Sequence, residues 1–243
     1  MQALIVHAHP EKESFVAAMR DVVKVHLESG SVAVCESDLY AIRFNPVLSS
    51  ADFGTRRDTA SLTYALEQRH NYEASTLAPD VLAEIEKVMA ADLLVFTFPL
   101  FWFSVPAILK GWIDRVFISG PFYGGQRIYR SGGLRGKKAL VACSLGGREH
   151  MFGRNSLHGE LETGMLRHFL QGTLGYVGLE VIRPFIAYRV PYVQPQEREE
   201  MLAALGQYID HWQDQPTMML PDLADFDGSF RRKIGKEQSG DEL

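Results

Sequence analysis

Two cysteines in 243 residues, Cys35 and Cys143, are too few for a disulfide framework. Both lie in apolar, strand-like runs and are expected to be buried, reduced thiols. Long apolar runs are missing as well: the best candidate, Leu93 to Leu109, is interrupted by Pro99 and Pro106, so no membrane span is expected. The opening MQALIVHAHPEKES has no basic leader and no small-residue cleavage site, which points to the cytoplasm. Positive charge is in deficit, 25 Lys and Arg against 30 Asp and Glu, and no basic stripe is present; nucleic acid is not an expected partner. The phosphate-binding motifs G-x-G-x-x-G and G-x-x-x-x-G-K-[ST] do not occur, nor does the hydrolase elbow G-x-S-x-G. His7-Ala-His9 could point two imidazoles to one side of a strand, but no carboxylate or cysteine cluster joins them, and no metal is expected.

What is present is an ordinary globular chain, 46% hydrophobic, with a regular alternation of short apolar runs and amphipathic stretches. Ala3 to His7 reads as a strand, Ser14 to Glu28 as a helix closed by Gly30, and Val32 to Glu36 as a second strand. That is one βαβ unit. From 39 to 76 the pattern lapses into polar clusters, read as an excursion with one short helix near Tyr64. Beyond it come a helix over Pro79 to Met89, a buried strand over Asp92 to Phe98 and a helix over Pro106 to Phe117. The order continues with a strand over Lys138 to Ser144, a helix over Gly159 to Leu174, a strand over Glu180 to Ala187 and a helix over Pro195 to Trp212. Five strands with intervening helices predict a doubly wound parallel α/β sheet whose strands are apolar runs. Residues 1–213 form the expected domain and 214–243 a C-terminal extension with a disordered end.

In such a sheet, ligands bind outside the carboxyl ends of the strands. The loop after the first strand offers His9 and the helix start at Ser14, which suits a phosphate or only a helix cap. After the third strand Phe101, Trp102 and Phe103 stand between two prolines, as walls for a flat ligand or as core. After the fourth, Ser144-Leu145-Gly146-Gly147 allows close backbone approach or a plain turn. Together they describe a site for a phosphate-bearing planar heterocycle, a flavin before a nucleotide.

The residues that fill this frame resemble the NAD(P)H:quinone oxidoreductase (DT-diaphorase) family of flavodoxin-like flavoproteins. The resemblance rests on Ala8-His9, Glu36-Ser-Asp-Leu-Tyr-Ala41, Phe44-Asn-Pro46, Leu77-Ala-Pro-Asp80 and Phe98-Pro-Leu100. Its most specific stretch is Trp102-Phe-Ser-Val-Pro-Ala-Ile-Leu-Lys-Gly-Trp112, followed by Asp114-Arg-Val-Phe-Ile118, Gly146-Gly147 and Leu157-His-Gly159.

The resemblance implies a flavodoxin-like five-stranded parallel sheet and a homodimer with one FAD per subunit, FMN being the alternative, with sites at the subunit interface. It places His9, Ser14 and Phe15 along the phosphates and ribityl chain. Pro99, Leu100, Trp102 and Phe103 would line the isoalloxazine, with Ser144, Leu145, Gly146, Gly147 and Phe152 around it. Asp114 and Arg198 would lie at the adenine end. Tyr123, Met151, Phe152, His158, Tyr176 and Phe230 would form the nicotinamide and quinone pocket. His158 would act beside Gly146 and Gly147 on the reduced ring. The chain departs from the family at Phe152, where a tyrosine is usual, and at Gly125, where a second tyrosine is missing.

The implied activity is ping-pong, two-electron reduction of a quinone or related aromatic acceptor, with NAD(P)H as donor. Reduction of nitro or azo compounds is an alternative. Another is a flavin-binding regulatory subunit of a cation-efflux system, which alone would require a membrane-protein partner. A dimer is also expected from the apolar segment Trp112 to Phe122.

Overall fold

The computed structural model describes residues 1–233; the expected disordered end falls outside that range. Six parallel segments make one sheet: β1 (Gln2–His7), β2 (Ala33–Asp38), β3 (Leu93–Pro99), β4 (Lys138–Ser144), β5 (Glu180–Val181) and β6 (Phe185–Ala187). The order is β2-β1-β3-β4-β5, with β6 also beside β4. β1 is an interior strand, pairing Ile5 with Glu36 on one side and Val95 on the other, and β3 is central. This is the doubly wound parallel sheet that the alternating pattern predicts.

Every residue of β3 is buried, as both faces of the sheet are covered. One layer holds Met19, Val23 and Leu27 of α1 (Phe15–Ser29) with Leu205 and Ile209 of α6 (Pro195–Asp210). The other holds Val81, Ile85 and Val88 of α3 (Pro79–Ala90) with Leu109 and Trp112 of α4 (Ala107–Val116). Helix starts are chemically marked. The Ser14 hydroxyl accepts the Ala17 N–H at 3.1 Å, Pro79 opens α3, and Pro195 opens α6.

Four expectations change. β2 is an edge strand, mostly half-buried, so Cys35 is half-buried; Cys143, in β4, is fully buried, and both are free thiols. The helix expected over Gly159 to Leu174 begins at Leu161 and consists of π-helical turns at Leu161–Met165 and Leu170–Gly175 flanking α5 (Arg167–Phe169). The last strand splits into β5 and β6 around Ile182, Arg183 and Pro184, since proline brings no N–H to a ladder. Trp112, Val116, Ile118 and Phe122 are wholly buried within their own chain, so the apolar character of the Trp112 to Phe122 segment belongs to the core and does not by itself mark a dimer face.

The 39–76 excursion contains a 3-10 turn, Ser50–Asp52, and α2 (Tyr64–Glu73). A buried arginine fixes it: Arg115 Nη2 meets Asp52 at 2.7 Å, and its Nη1 meets Asp80 at 2.7 Å and the Asn45 carbonyl at 2.8 Å. The extension returns along the sheet. Thr217 bridges Ile182, the Met218 N–H donates to the Val181 carbonyl, and Arg130 pairs with Asp222 at 3.3 Å.

Candidate functional site

Three loops meet at the carboxyl edge of the sheet. β3 ends in buried Pro99, and the Leu100 N–H donates to the Ser144 carbonyl at 2.7 Å, tying the loop after β3 to the end of β4. Phe101 and Ser104 then exchange both backbone hydrogen bonds at 3.0 Å, leaving Trp102 and Phe103 as the two central residues of a tight turn. Their φ angles, 52° and 57°, are left-handed, a conformation that glycine and asparagine adopt readily and large aromatics do not. Such strain is of order 1 kcal/mol or more per residue and persists only where surroundings hold it. Here Phe103 packs on His158 (ring centroids 5.3 Å) and Phe152 (6.2 Å). The Ser104 hydroxyl meets His168 Nε2 at 3.0 Å, and His168 Nδ1 meets the Met165 carbonyl at 2.8 Å. A carbonyl only accepts, so Nδ1 carries the proton and, in the neutral ring, Nε2 accepts from Ser104. Trp102 is left 96% exposed.

The resulting cleft, about 330 Å³, is lined by Leu100, Trp102 and Phe103 from the loop after β3 and by Leu145, Gly146, Gly147, Phe152 and His158 from the connection after β4. A Cβ at Gly147 would stand 2.9 Å from the Phe152 ring, so its missing side chain makes room for that ring. A Cβ at Gly146 would meet nothing nearer than Tyr192 at 3.7 Å, and its backbone is open to solvent. His158 is half-buried and stacks near Phe152 at 5.2 Å; its backbone N–H donates to the Met151 carbonyl at 2.9 Å. Met151 thus braces the loop that carries His158 and does not line the cleft.

His9, Ser14 and Phe15 lie at the end of β1 and the start of α1, on the same side of the sheet as α6. His9 Nδ1 accepts the Glu11 N–H at 3.0 Å, while His7 is buried with Nδ1 2.8 Å from Thr97 Oγ1. Neither histidine is thus offered with the other as a chelating pair. Arg198, in the first turns of α6, has a buried Nε with no partner. An arginine with an unused donor, on the helix that packs in the same layer as α1, fits a phosphate-bearing ligand. Flat apolar walls, close-approach backbone at Gly146 and this spare cationic donor together fit a flavin nucleotide.

The structure separates other members of the expected set. Tyr123 and Tyr176, 5.6 Å apart by ring centroid, lie in a second cavity of about 480 Å³ with Tyr64, Gln68, Asp114 and Phe117. Asp114 is on α4, across the sheet from Arg198, and pairs with Lys110 at 2.7 Å. Phe230 lies in the returning extension, 46% exposed, and lines neither cavity. Tyr64 and Gln68 had no sequence signal, because α2 is polar and lacks an apolar period. Ser104 and His168 were invisible for another reason: their contact joins residues 64 positions apart. Among the described residues no helix is long and apolar enough to cross a membrane, and no cluster of three metal-ligating side chains occurs.

Comparison with known proteins agrees with this frame. Residues 1–211 match the family described as having a flavodoxin-like fold. NAD(P)H dehydrogenase [quinone] 1 of Cavia porcellus is 38% identical over 95% of this chain and 84% of its own. The human ribosyldihydronicotinamide dehydrogenase [quinone] is 37% identical over 88% of this chain and 94% of its own. A solved structure from Klebsiella pneumoniae, described as that of a candidate quinone reductase, superimposes with a TM-score of 0.89 at 29% identity, covering 99% of this chain and 97% of the other. The chain belongs to the flavodoxin-like family of NAD(P)H dehydrogenases (quinone), which are oxidoreductases.

Proposed function

We propose that this protein uses NAD(P)H to reduce quinones or related aromatic acceptors through an FAD held at the carboxyl edge of the sheet. The carrying observation is the cleft itself. All eight of its wall residues are ones assigned to flavin or acceptor from the sequence, and they come from two connections, the loop after β3 and the one after β4. Bound flavin would supply the two-electron chemistry, alternating between donor and acceptor. The protein's part is positional and electrostatic. Leu100, Trp102 and Phe103 would offer apolar surface to the ring, and Gly146 would bring bare backbone to it. His158 is the side chain in the cleft able to donate a proton or face developing negative charge. Phe152 contributes a ring face and no hydroxyl. Ser14, Phe15 and Arg198 would hold the phosphates and the adenosine side.

The active unit in this proposal is a homodimer. Tyr123 and Tyr176 belong to the acceptor pocket by resemblance, yet in one chain they sit in a cavity apart from Phe152 and His158. Apposing the cleft of one subunit with the tyrosine cavity of another completes the pocket and covers exposed Trp102. It also gives Asp114 a role toward the partner's ligand. Nitro and azo acceptors are a second reading, favoured by Gly125: at φ 59° a Cβ there would meet nothing within 4 Å, leaving room for larger substrates. A steady-state survey of NADH and NADPH against neutral quinones and nitro and azo compounds tests the proposal. Quinone turnover supports it. Flavin-loaded protein that turns over no acceptor, and co-purifies with a membrane protein, would favour the regulatory alternative.

A further inference from the structure

Beside the tyrosine cavity, whose own charged wall residue is Asp114 paired with Lys110, lies a cation that neither the flavin nor the hydride chemistry requires. The cavity wall includes Tyr64, Ala65 and Gln68 of α2, and Gln68 Nε2 donates to the Asp114 carbonyl at 2.9 Å, holding the helix against α4. The next residue, Arg69, is exposed and crosses the 119–127 loop, where its Nη2 donates to Ser119 Oγ at 2.9 Å. That path exists because Gly124 has no side chain: a Cβ there would stand 2.7 Å from Arg69 Nη2. Arg127 shapes the same loop, its Nη1 donating to the Gly120 carbonyl at 2.8 Å, and the Tyr123 carbonyl accepts the Gly120 N–H at 2.8 Å. The Arg69 charge is near enough to act on the Tyr123 hydroxyl. Burial and then Tyr176 raise that group, and Arg69 pulls in the other direction.

A guanidinium has five N–H donors, and Ser119 occupies one. Among the described residues no carboxylate forms an ion pair with Arg69. Beside it Gly125 leaves open space. The surroundings are therefore two tyrosine rings suited to a flat ligand, a clear approach and a planar cation with donors to spare.

Building on the proposed reductase activity, we propose that Arg69 recognises an anionic group, carboxylate or phosphate, on the aromatic ligand that enters the Tyr123–Tyr176 cavity. Arg69 thereby sets specificity for charged over neutral substrates. The anion could belong to the donor, as the pyrophosphate of NADH, or to the acceptor, as a ring carboxylate; the chemistry recognised is the same. An arginine suits such a group because its fork matches two oxygens, which lysine cannot do.

The test compares kcat/KM ratios in the flavin-loaded enzyme. For the donor, NADH is measured against the phosphate-free dihydronicotinamide riboside. For the acceptor, a carboxylated benzoquinone is measured against its neutral parent. Arg69→Gln is expected to lower the anionic-to-neutral ratio about fivefold in one of the two arms, in keeping with a solvent-exposed charged contact. Arg69→Lys should restore part of it. The arm that responds names the source of the anion. Slackening of the loop alone would affect charged and neutral partners alike, so unchanged ratios in both arms overturn the proposal. Salt dependence of the wild-type ratios is an independent check that needs no variant. The ratio of the responsive arm should fall with ionic strength, and flat ratios in both arms would contradict the assignment. Wild type without turnover of the neutral quinone would instead sink the reductase reading, so the two failures are distinguishable.

Discussion

At the scale of single residues, Phe152 and His158 decide how charge is met in the cleft. Phe152 cannot donate a hydrogen bond, so His158 is expected to provide most of the stabilisation when the bound ring is reduced. A hydrogen bond to a charged group contributes about 1.5–3 kcal/mol, so His158→Ala should slow flavin reduction roughly ten- to a hundredfold with little loss of flavin affinity. Phe152→Tyr should partly rescue that variant. Stopped-flow reduction of the four proteins gives the double-mutant cycle, and a His158→Ala protein as fast as wild type would reduce the histidine to a wall. His7 predicts a different pH effect. Burial first, and the Arg20 charge second, lower its pKa from 6.5 to about 4. Between those values the unfolded chain takes up a proton that the folded chain refuses, so stability falls as pH falls through that window, by up to about 3 kcal/mol. Urea midpoints measured from pH 7 to pH 4 should decline more steeply for wild type than for His7→Gln. Parallel curves would contradict this.

At the scale of elements, the strongest polar clamp on the 39–76 excursion is one buried guanidinium. Arg115 is 3% exposed and its partner Asp52 4%, so removing the cation strands a buried carboxylate. Arg115→Ala should cost about 3 kcal/mol, read as a lowered denaturant midpoint. A midpoint like that of wild type would show that the clamp is not holding the excursion. The element boundaries themselves were largely legible in the sequence, because Ser14, Gly30, Pro79 and Pro195 act through local chemistry that needs no tertiary contact. β4 was read at its observed ends, Lys138 and Ser144. Reading failed where long-range packing overrides pattern. The π-helical turns around Arg167–Phe169 leave no local mark. The short helix near Tyr64 was legible as α2, but its buried face was not, because Glu67, Gln68 and Asn71 put polar groups where apolar ones are looked for. Glu67 accepts N–H groups from Arg57 and Asp58, a pairing no periodicity reveals.

At the scale of the whole molecule, the cleft residues from Leu100 to Phe103 and from Leu145 to Gly147 were legible because they follow strand ends, where a parallel sheet gathers its loops, while Phe152 and His158 were legible only through the family resemblance. The second cavity was not, because within one chain it lies apart from them. That separation is the physical reason to expect a dimer. Sedimentation of the flavin-loaded protein should show a dimer at assay concentrations, with activity falling on dilution below its dissociation constant; a fully active monomer would contradict the shared pocket. The most direct test of the central claim is anaerobic mixing of the FAD-loaded protein with one equivalent of NADH or NADPH, followed by one equivalent of a neutral quinone. The account predicts that the donor bleaches the flavin absorbance in a single turnover and that the quinone restores it. A flavin that stays oxidised with both donors, or that once bleached is not reoxidised by quinone, would contradict it.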